Sequence, residues 1–308
     1  MTPSPRIHPA LGLLFGILAV STASIFIRYA QQEAPSLVIA AYRLGIASLV
    51  LAVPVLRKHG DEFGQLRRKD ALLVALSGMF LAVHFATWIT SLEYTTVASS
   101  VVLVSTTPLW VGILSPVLLK ERLTRPLVMG MILTLVGSVL VGLSDACQWR
   151  GGLACPSFSE FVQGRAFWGD FLALAGAWMA AGYLLIGRQT RRKLSLWPYV
   201  LGVYGTAALT LIIWTLLQGF PFTGYPRRAY LWFAALALVP QLIGHSTFNW
   251  ALRYLPAAFV SITLLGEPVG SAVLAYFLLD ETPGALMLIG GALILTGILI
   301  ASRTTDDG

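Results

Sequence analysis

The chain has 308 residues; 56% are hydrophobic, only 11% are charged, and the net charge is +7. Soluble domains carry about 25% charged residues and an ionised side chain is costly in hydrocarbon, so this composition excludes an ordinary soluble domain and points to the bilayer. The bases lie in short segments between apolar runs, a topology signal rather than a nucleic-acid surface.

The opening, MTPSPRIHPA, leads into a long apolar run with no small-residue cleavage site, so no cleavable signal peptide is expected. A spanning helix needs roughly 20 apolar residues. In chain order the expected spans are Leu11–Ile27, Pro35–Leu56 with Arg43 inside it, Ala71–Leu92, Tyr94–Leu119 and Pro126–Ser144. A hydrophilic connection from Asp145 to Arg165 follows, carrying Cys147 and Cys155, for which a disulfide and two free thiols are both open. Phe171–Gly187, Leu194–Pro226, Ala229–Leu252, Pro256–Leu279 with Glu267 inside it, and Thr282–Ser302 complete ten. With a cytoplasmic N-terminus, fifteen bases fall on inside segments and five on outside ones. That bias predicts an N-in, C-in protein, and a missed span would have scrambled it.

Shifting the chain by 160 residues lays SLEYTTVASSVVLVSTTPLWVGILSPVLLKE over ALRYLPAAFVSITLLGEPVGSAVLAYFLLDE. The informative matches are Tyr94/Tyr254, Pro108/Pro268, Glu121/Glu281, Gly130/Gly290 and Gly137/Gly297, since leucine matches are cheap in such a sequence. The expected fold is therefore all-α and integral to the membrane: two five-helix repeats, residues 8–144 and 166–302, separated by an outside loop at 145–165. Five is odd, so the second repeat is inverted. Inverted repeats are a mark of secondary transporters, with the site near the midplane between the repeats.

The two aligned stretches, each ending in Leu-Leu-x-Glu near a helix end, resemble the paired repeats of the EamA family within the drug/metabolite transporter superfamily. The similarity covers nearly the whole chain. It implies a ten-helix bundle around a central cavity and export of small metabolites, often amino acids or related compounds, across the cell (inner) membrane. The loop around Cys147 and Cys155 is longer than the family pattern leads one to expect. Such motifs specify the family well and the substrate poorly.

Arg43 and Glu267 are the two charges well inside spans, and an intramembrane charge is a functional candidate by default. Glu267 has two open roles: a coupling group that takes and releases a proton as access alternates, or a fixed partner of Arg43. Arg43 could hold a substrate carboxylate with paired N–H donors; an arginine here is common in EamA-like sequences, which suits either role. His84 and Trp88 share one helix face, and Gln241, His245 and Asn249 another, so both stripes are expected to point inward. For the histidines, interhelical hydrogen bonding is the plainer alternative. Trp110 and Trp178 are candidate cavity walls, while Tyr29, Tyr94 and Tyr230 read as interface anchors, and Trp197 and Trp250 as belt residues. Pro108 and Pro268 are expected to kink their helices at equivalent places. Gly12 with Gly16, and Thr134, Ser138 and Gly142, form small-residue stripes for close packing, within the bundle or in a homodimer.

The sequence thus predicts a secondary carrier with a small-molecule substrate and the bilayer as partners, protons as a candidate coupling ion, and neither nucleic acid, cofactor nor metal. The rival classes are an intramembrane enzyme on lipid-linked substrates and a channel. No Walker A, His-Glu-x-x-His or Gly-x-Ser-x-Gly pattern supports the first, and no filter motif the second.

Overall fold

The computed structural model describes residues 9–95, 100, 103–146, 148–149, 153–154, 165–279 and 284–303. Cys147, Cys155 and Glu281 lie outside the described residues. The helices are α1 (Pro9–Ser21), α2 (Ala23–Gln31), α3 (Ser36–Gly64), α4 (Arg68–Tyr94), α5 (Thr107–Leu118), α6 (Arg125–Ala146), α7 (Arg165–Arg191), α8 (Leu196–Leu217) and α9 (Arg227–Leu236). A π-helix (Ala237–His245), α10 (Ser246–Ala251), α11 (Ala257–Leu264), α12 (Gly266–Leu279) and α13 (Ala285–Ser302) follow. Between α6 and α7 a two-residue hairpin, β1 (Gln148–Trp149) and β2 (Leu153–Ala154), pairs Gln148 with Ala154 and Trp149 with Leu153.

Among the described residues, seven helical stretches are long and apolar enough to cross a membrane: Leu11–Gln31, Ser36–Gly64, Arg68–Tyr94, Phe167–Arg191, Leu196–Leu217, Arg227–Ala251 and Ala285–Ser302. Three shorter apolar helices, Thr107–Leu118, Arg125–Leu140 and Ala257–Ser271, accompany them. A helix satisfies its own backbone hydrogen bonds, which is why uncharged runs of this kind fold as helices in hydrocarbon. Three starts are set by proline: Pro35, Pro226 and Pro256 stand in extended conformation directly before α3, α9 and α11. There the fixed φ suits the chain entry, and the missing N–H belongs to a group with no intrahelical partner.

The expected span from Tyr94 to Leu119 is not a single helix. Tyr94 closes α4, and α5 begins at Thr107, behind a turn at Ser105 and Thr106. The ninth expected span also breaks, at Leu265 between α11 and α12. Pro108 and Pro268 lie in the first turns of α5 and α12. Each proline thus follows a break and sits where a first-turn N–H would have no intrahelical acceptor.

The tightest seams are α6 with α13, α4 with α7, and α3 with α8. Contacts recur in shifted pairs: α4 with α7 has its counterpart in α1 against the π-helix and α10, and α5 with α7 in α1 against α12. At the α6–α13 seam Gly130 faces Gly297 and Gly137 faces Gly290, so the repeat-matched glycines cross-pair. The small-residue stripe of α6 is spent here: Thr134 and Ser138 are buried, and Thr134 lies against Gly297. Gly12 packs against Trp250, and Gly16 against Thr247 and Phe248. Both stripes weighed for a dimer are occupied within the chain, Gly142 having no described side chain.

Candidate functional site

Arg43 of α3 is wholly buried and, with Arg191, is among the largest such side chains of the described residues. Its Nε donates to Gln241 Oε1 at 2.8 Å, and its guanidinium carbon lies 4.1 Å from the centre of the Phe85 ring. Both Nη atoms find no hydrogen-bond partner among the described residues. The amide holds one edge of the guanidinium, the ring supports its face, and the fork that would grip a carboxylate is left unengaged.

Three more orphaned groups lie on the π-helix, α4 and α10. Gln241 Nε2, Trp88 Nε1 and Asn249 Oδ1 are buried without a partner among the described residues. Buried polar groups are normally paired, and an unpaired one costs about 1–3 kcal/mol. The Arg43 fork and Gln241 Nε2, brought together by the Arg43–Gln241 bond, are unengaged donors that suit an anion.

The local fold presents these groups. Gln241 and His245 belong to the π-helix that contains Pro240. A proline inside a helix removes a backbone bond, and π-segments are frequent at functional sites. Asn249, one helical turn further on, donates through Nδ2 to the His245 carbonyl at 2.8 Å and to the Tyr183 hydroxyl. Tyr204 of α8 lies 3.1 Å from Ser246 Oγ and donates to the Gln241 carbonyl at 3.4 Å. His245 meets the Phe85 ring edge-on at 5.2 Å. On α4, His84 donates through Nδ1 to the Gly176 carbonyl of α7 at 2.9 Å and stacks on Trp88 at 5.9 Å. The His84 bond is interhelical glue of the plain kind; its stack orients Trp88.

The structure thus groups Arg43, His84, Trp88, His245 and Asn249 around Phe85 and Gln241. Trp110 and Trp178 form a separate pair, T-shaped at 5.6 Å, where α5 meets α7. Trp110 donates to Thr106 Oγ1 at 3.1 Å, and Trp178, 37% exposed, also meets Phe171. No contact joins this pair to Arg43 among the described residues. Glu267 stands half-buried in the first turn of α12. Its backbone carbonyl accepts from Ser21 Oγ at 3.2 Å, and Ser24 and Ser271 bond nearby at 3.1 Å. Among the described residues no ion pair within 4.0 Å joins its carboxylate to Arg43, although each is the other's main source of charge interaction, so both roles of Glu267 stay open.

Sequence reasoning placed Gln241 in an inward stripe and did not rank it a site residue. The missing signal was its reach to Arg43, which depends on how α3 crosses the π-helix. Phe85, Tyr183 and Tyr204 carried no signal beyond their neighbours. Losing a buried hydrogen bond to a charged group costs about 1.5–3 kcal/mol. Gln241→Leu is therefore expected to raise the half-saturation concentration for substrate about tenfold or more, with insertion unchanged; uptake titrations check this, and Gln241→Asn should recover part of the loss.

The geometry agrees with what the chain is similar to. The family model described as "EamA-like transporter family" matches residues 9–143 and again 167–303. A protein of Archaeoglobus fulgidus named "Uncharacterized transporter" is 25% identical, over 94% of this chain and 95% of its own. A "Probable terminal-alkyne amino-acid exporter" of Streptantibioticus cattleyicolor is 25% identical over 85% of this chain and 82% of its own. The "Pseudopaline exporter CntI" of Pseudomonas aeruginosa is 23% identical over 95% and 96%. A solved crystal structure superposes with a TM-score of 0.76 over 97% of this chain and 98% of that one at 20% identity, which is a likeness of fold.

Proposed function

Because the chain belongs to the EamA-like transporter family, we propose that it is a secondary carrier exporting small carboxylate-bearing metabolites, amino acids or related amphipathic compounds foremost, by alternating access. It is a multi-pass membrane transporter and not an enzyme, as its family and the names of its relatives state. The observation that carries the substrate reading is the buried Arg43 fork, held by Gln241 and Phe85 with both Nη atoms unpartnered. The names of two relatives as exporters, one of an amino acid, support the class and direction.

In this reading the three shorter apolar helices complete ten spans with the seven long ones. The two matched stretches are inverted repeats of residues 8–144 and 166–302, and both termini lie on the cytoplasmic side of the cell (inner) membrane. The paired packing of helices and the cross-paired glycines support the repeat. Pro108 and Pro268, each behind a helix break, are the points about which the halves rock. Glu267 serves as the coupling group, since its half-buried carboxylate stands at such a break.

Counterflow and uptake in proteoliposomes loaded with mixed amino acids and metabolites test the reading, with and without a pH gradient. Wild type is expected to exchange one compound class, and Glu267→Gln to lose the pH-driven component while keeping exchange. A mutant equal to wild type overturns the coupling role. No exchange of any compound overturns the carrier reading, and fluxes far above carrier rates would make it a channel.

A further inference from the structure

One carboxylate ties the two matched halves together at the face that bears Arg188, Arg192 and Lys193. Glu121, between α5 and α6, accepts Arg188 Nε at 2.6 Å and Arg192 Nη2 at 3.1 Å through Oε1. Its Oε2 accepts the backbone N–H of Ala257, the first residue of α11, at 3.1 Å. Arg188 also donates through Nη1 to the carbonyl of Leu252, just past α10, at 2.8 Å. So a single side chain from the first half holds the end of α7, the start of α11 and, through Arg188, the end of α10.

Lys120, the residue before it, has positive φ, at 57°, and is the one such non-glycine residue among those described. L-residues adopt that conformation rarely, and it persists where surrounding contacts over-determine it. Both members of the pair are dry: Glu121 and Arg188 are each 12% exposed, whereas in the neighbouring pair Asp70 is 15% and Lys193 64% exposed. A well-screened surface pair contributes little; a drier one contributes more. The same shift of 160 that lays Glu121 on Glu281 lays Arg188 on Arg28, residue 281 being outside those described.

We propose that Glu121 is a releasable latch: its ties to Arg188 and to the N-terminus of α11 close this face of the carrier, and they must part before the central site opens there. The proposal rests on the carrier reading above. A latch worth a tenfold bias shifts the population of the open state at this face by that factor when it is removed.

The test uses Ser77, which is buried on α4 two turns before His84 and hydrogen-bonded to Tyr199 at 2.9 Å. In the full chain with Cys147→Ser and Cys155→Ser, Ser77→Cys reports access from each side through the rate of labelling by a membrane-impermeant maleimide. Glu121→Gln, which keeps an acceptor for Ala257 but loses the charge, and Arg188→Gln are each expected to speed labelling from the Arg188 face about tenfold. Glu121→Arg with Arg188→Glu should restore part of the slow rate. A second readout does not need the new cysteine: the half-saturation concentration of Glu121→Gln should fall several-fold at the Arg188 face and rise at the other. A purely structural pair would lower thermal stability and move neither quantity, and that outcome overturns the latch. If wild type transports nothing, the carrier reading fails instead, whatever the labelling shows.

Discussion

Arg43→Lys is expected to lower transport by about a hundredfold or more, and Arg43→Met to abolish it, without loss of folded protein. Lysine keeps the charge but cannot present two parallel N–H groups or keep the Nε bond to Gln241. Two charge-assisted bonds to a carboxylate are each worth about 1.5–3 kcal/mol, and a hundredfold corresponds to about 2.7 kcal/mol. The sign of the stability change separates a binding role from a structural one. A buried guanidinium with no ion pair within 4.0 Å among the described residues is costly to the empty protein, and apolar replacement of buried charges is often neutral or stabilising. Arg43→Met should therefore melt in detergent at or above the wild-type temperature while transporting nothing. A large fall in melting temperature, or near-normal transport by Arg43→Lys, would show that the arginine holds the bundle together.

Arg43 and Glu267 were legible in the sequence because a charge in an apolar span has no cheap explanation. Their relation was not legible. Two lone charges of opposite sign invite pairing, yet the arginine's hydrogen-bond partner among the described residues is an amide from the π-helix, which no periodicity of 3.6 foretells. The inward stripes of His84 with Trp88 and Gln241 with Asn249 were visible as patterns, since spacing of four places residues on one face. Trp110 and Trp178 were visible as amphipathic intramembrane residues, while their contact with each other at the α5–α7 seam was not. The helix breaks before Pro108 and Pro268 were half visible: proline marks a weak point, while its displacement into the first turn of a new helix depends on the residues before it.

The repeat has a second consequence, with the largest expected effect on stability. Gly297→Leu should prevent α6 and α13 from docking and lower the melting temperature by about 6–12 °C, on the basis of about 3 kcal/mol and roughly 2–4 °C per kcal/mol in a large chain. A Cβ at Gly297 would lie 2.7 Å from the Gly130 carbonyl oxygen and 2.6 Å from the Thr134 methyl carbon. The obstacle is backbone, which cannot rotate away as a side chain can. Gly130 faces the reciprocal clash, its Cβ falling 2.5 Å from the Gly297 carbonyl oxygen. Inside a bilayer this contact has no hydrophobic substitute, because lipid tails are as apolar as the residues, so close backbone packing carries the association. Gly45 in α3 is the control. Nothing lies within 4 Å of a Cβ placed there, and alanine is the better helix former by about 1 kcal/mol, so Gly45→Ala should be neutral or slightly stabilising. Because Gly130 and Gly297 share one seam, Gly130→Ala with Gly297→Ala should cost less than the sum of the two single changes. A wild-type melting temperature for Gly297→Leu would mean that α6 and α13 do not meet at this seam, and the cross-pairing that supports the inverted repeat would fall with it.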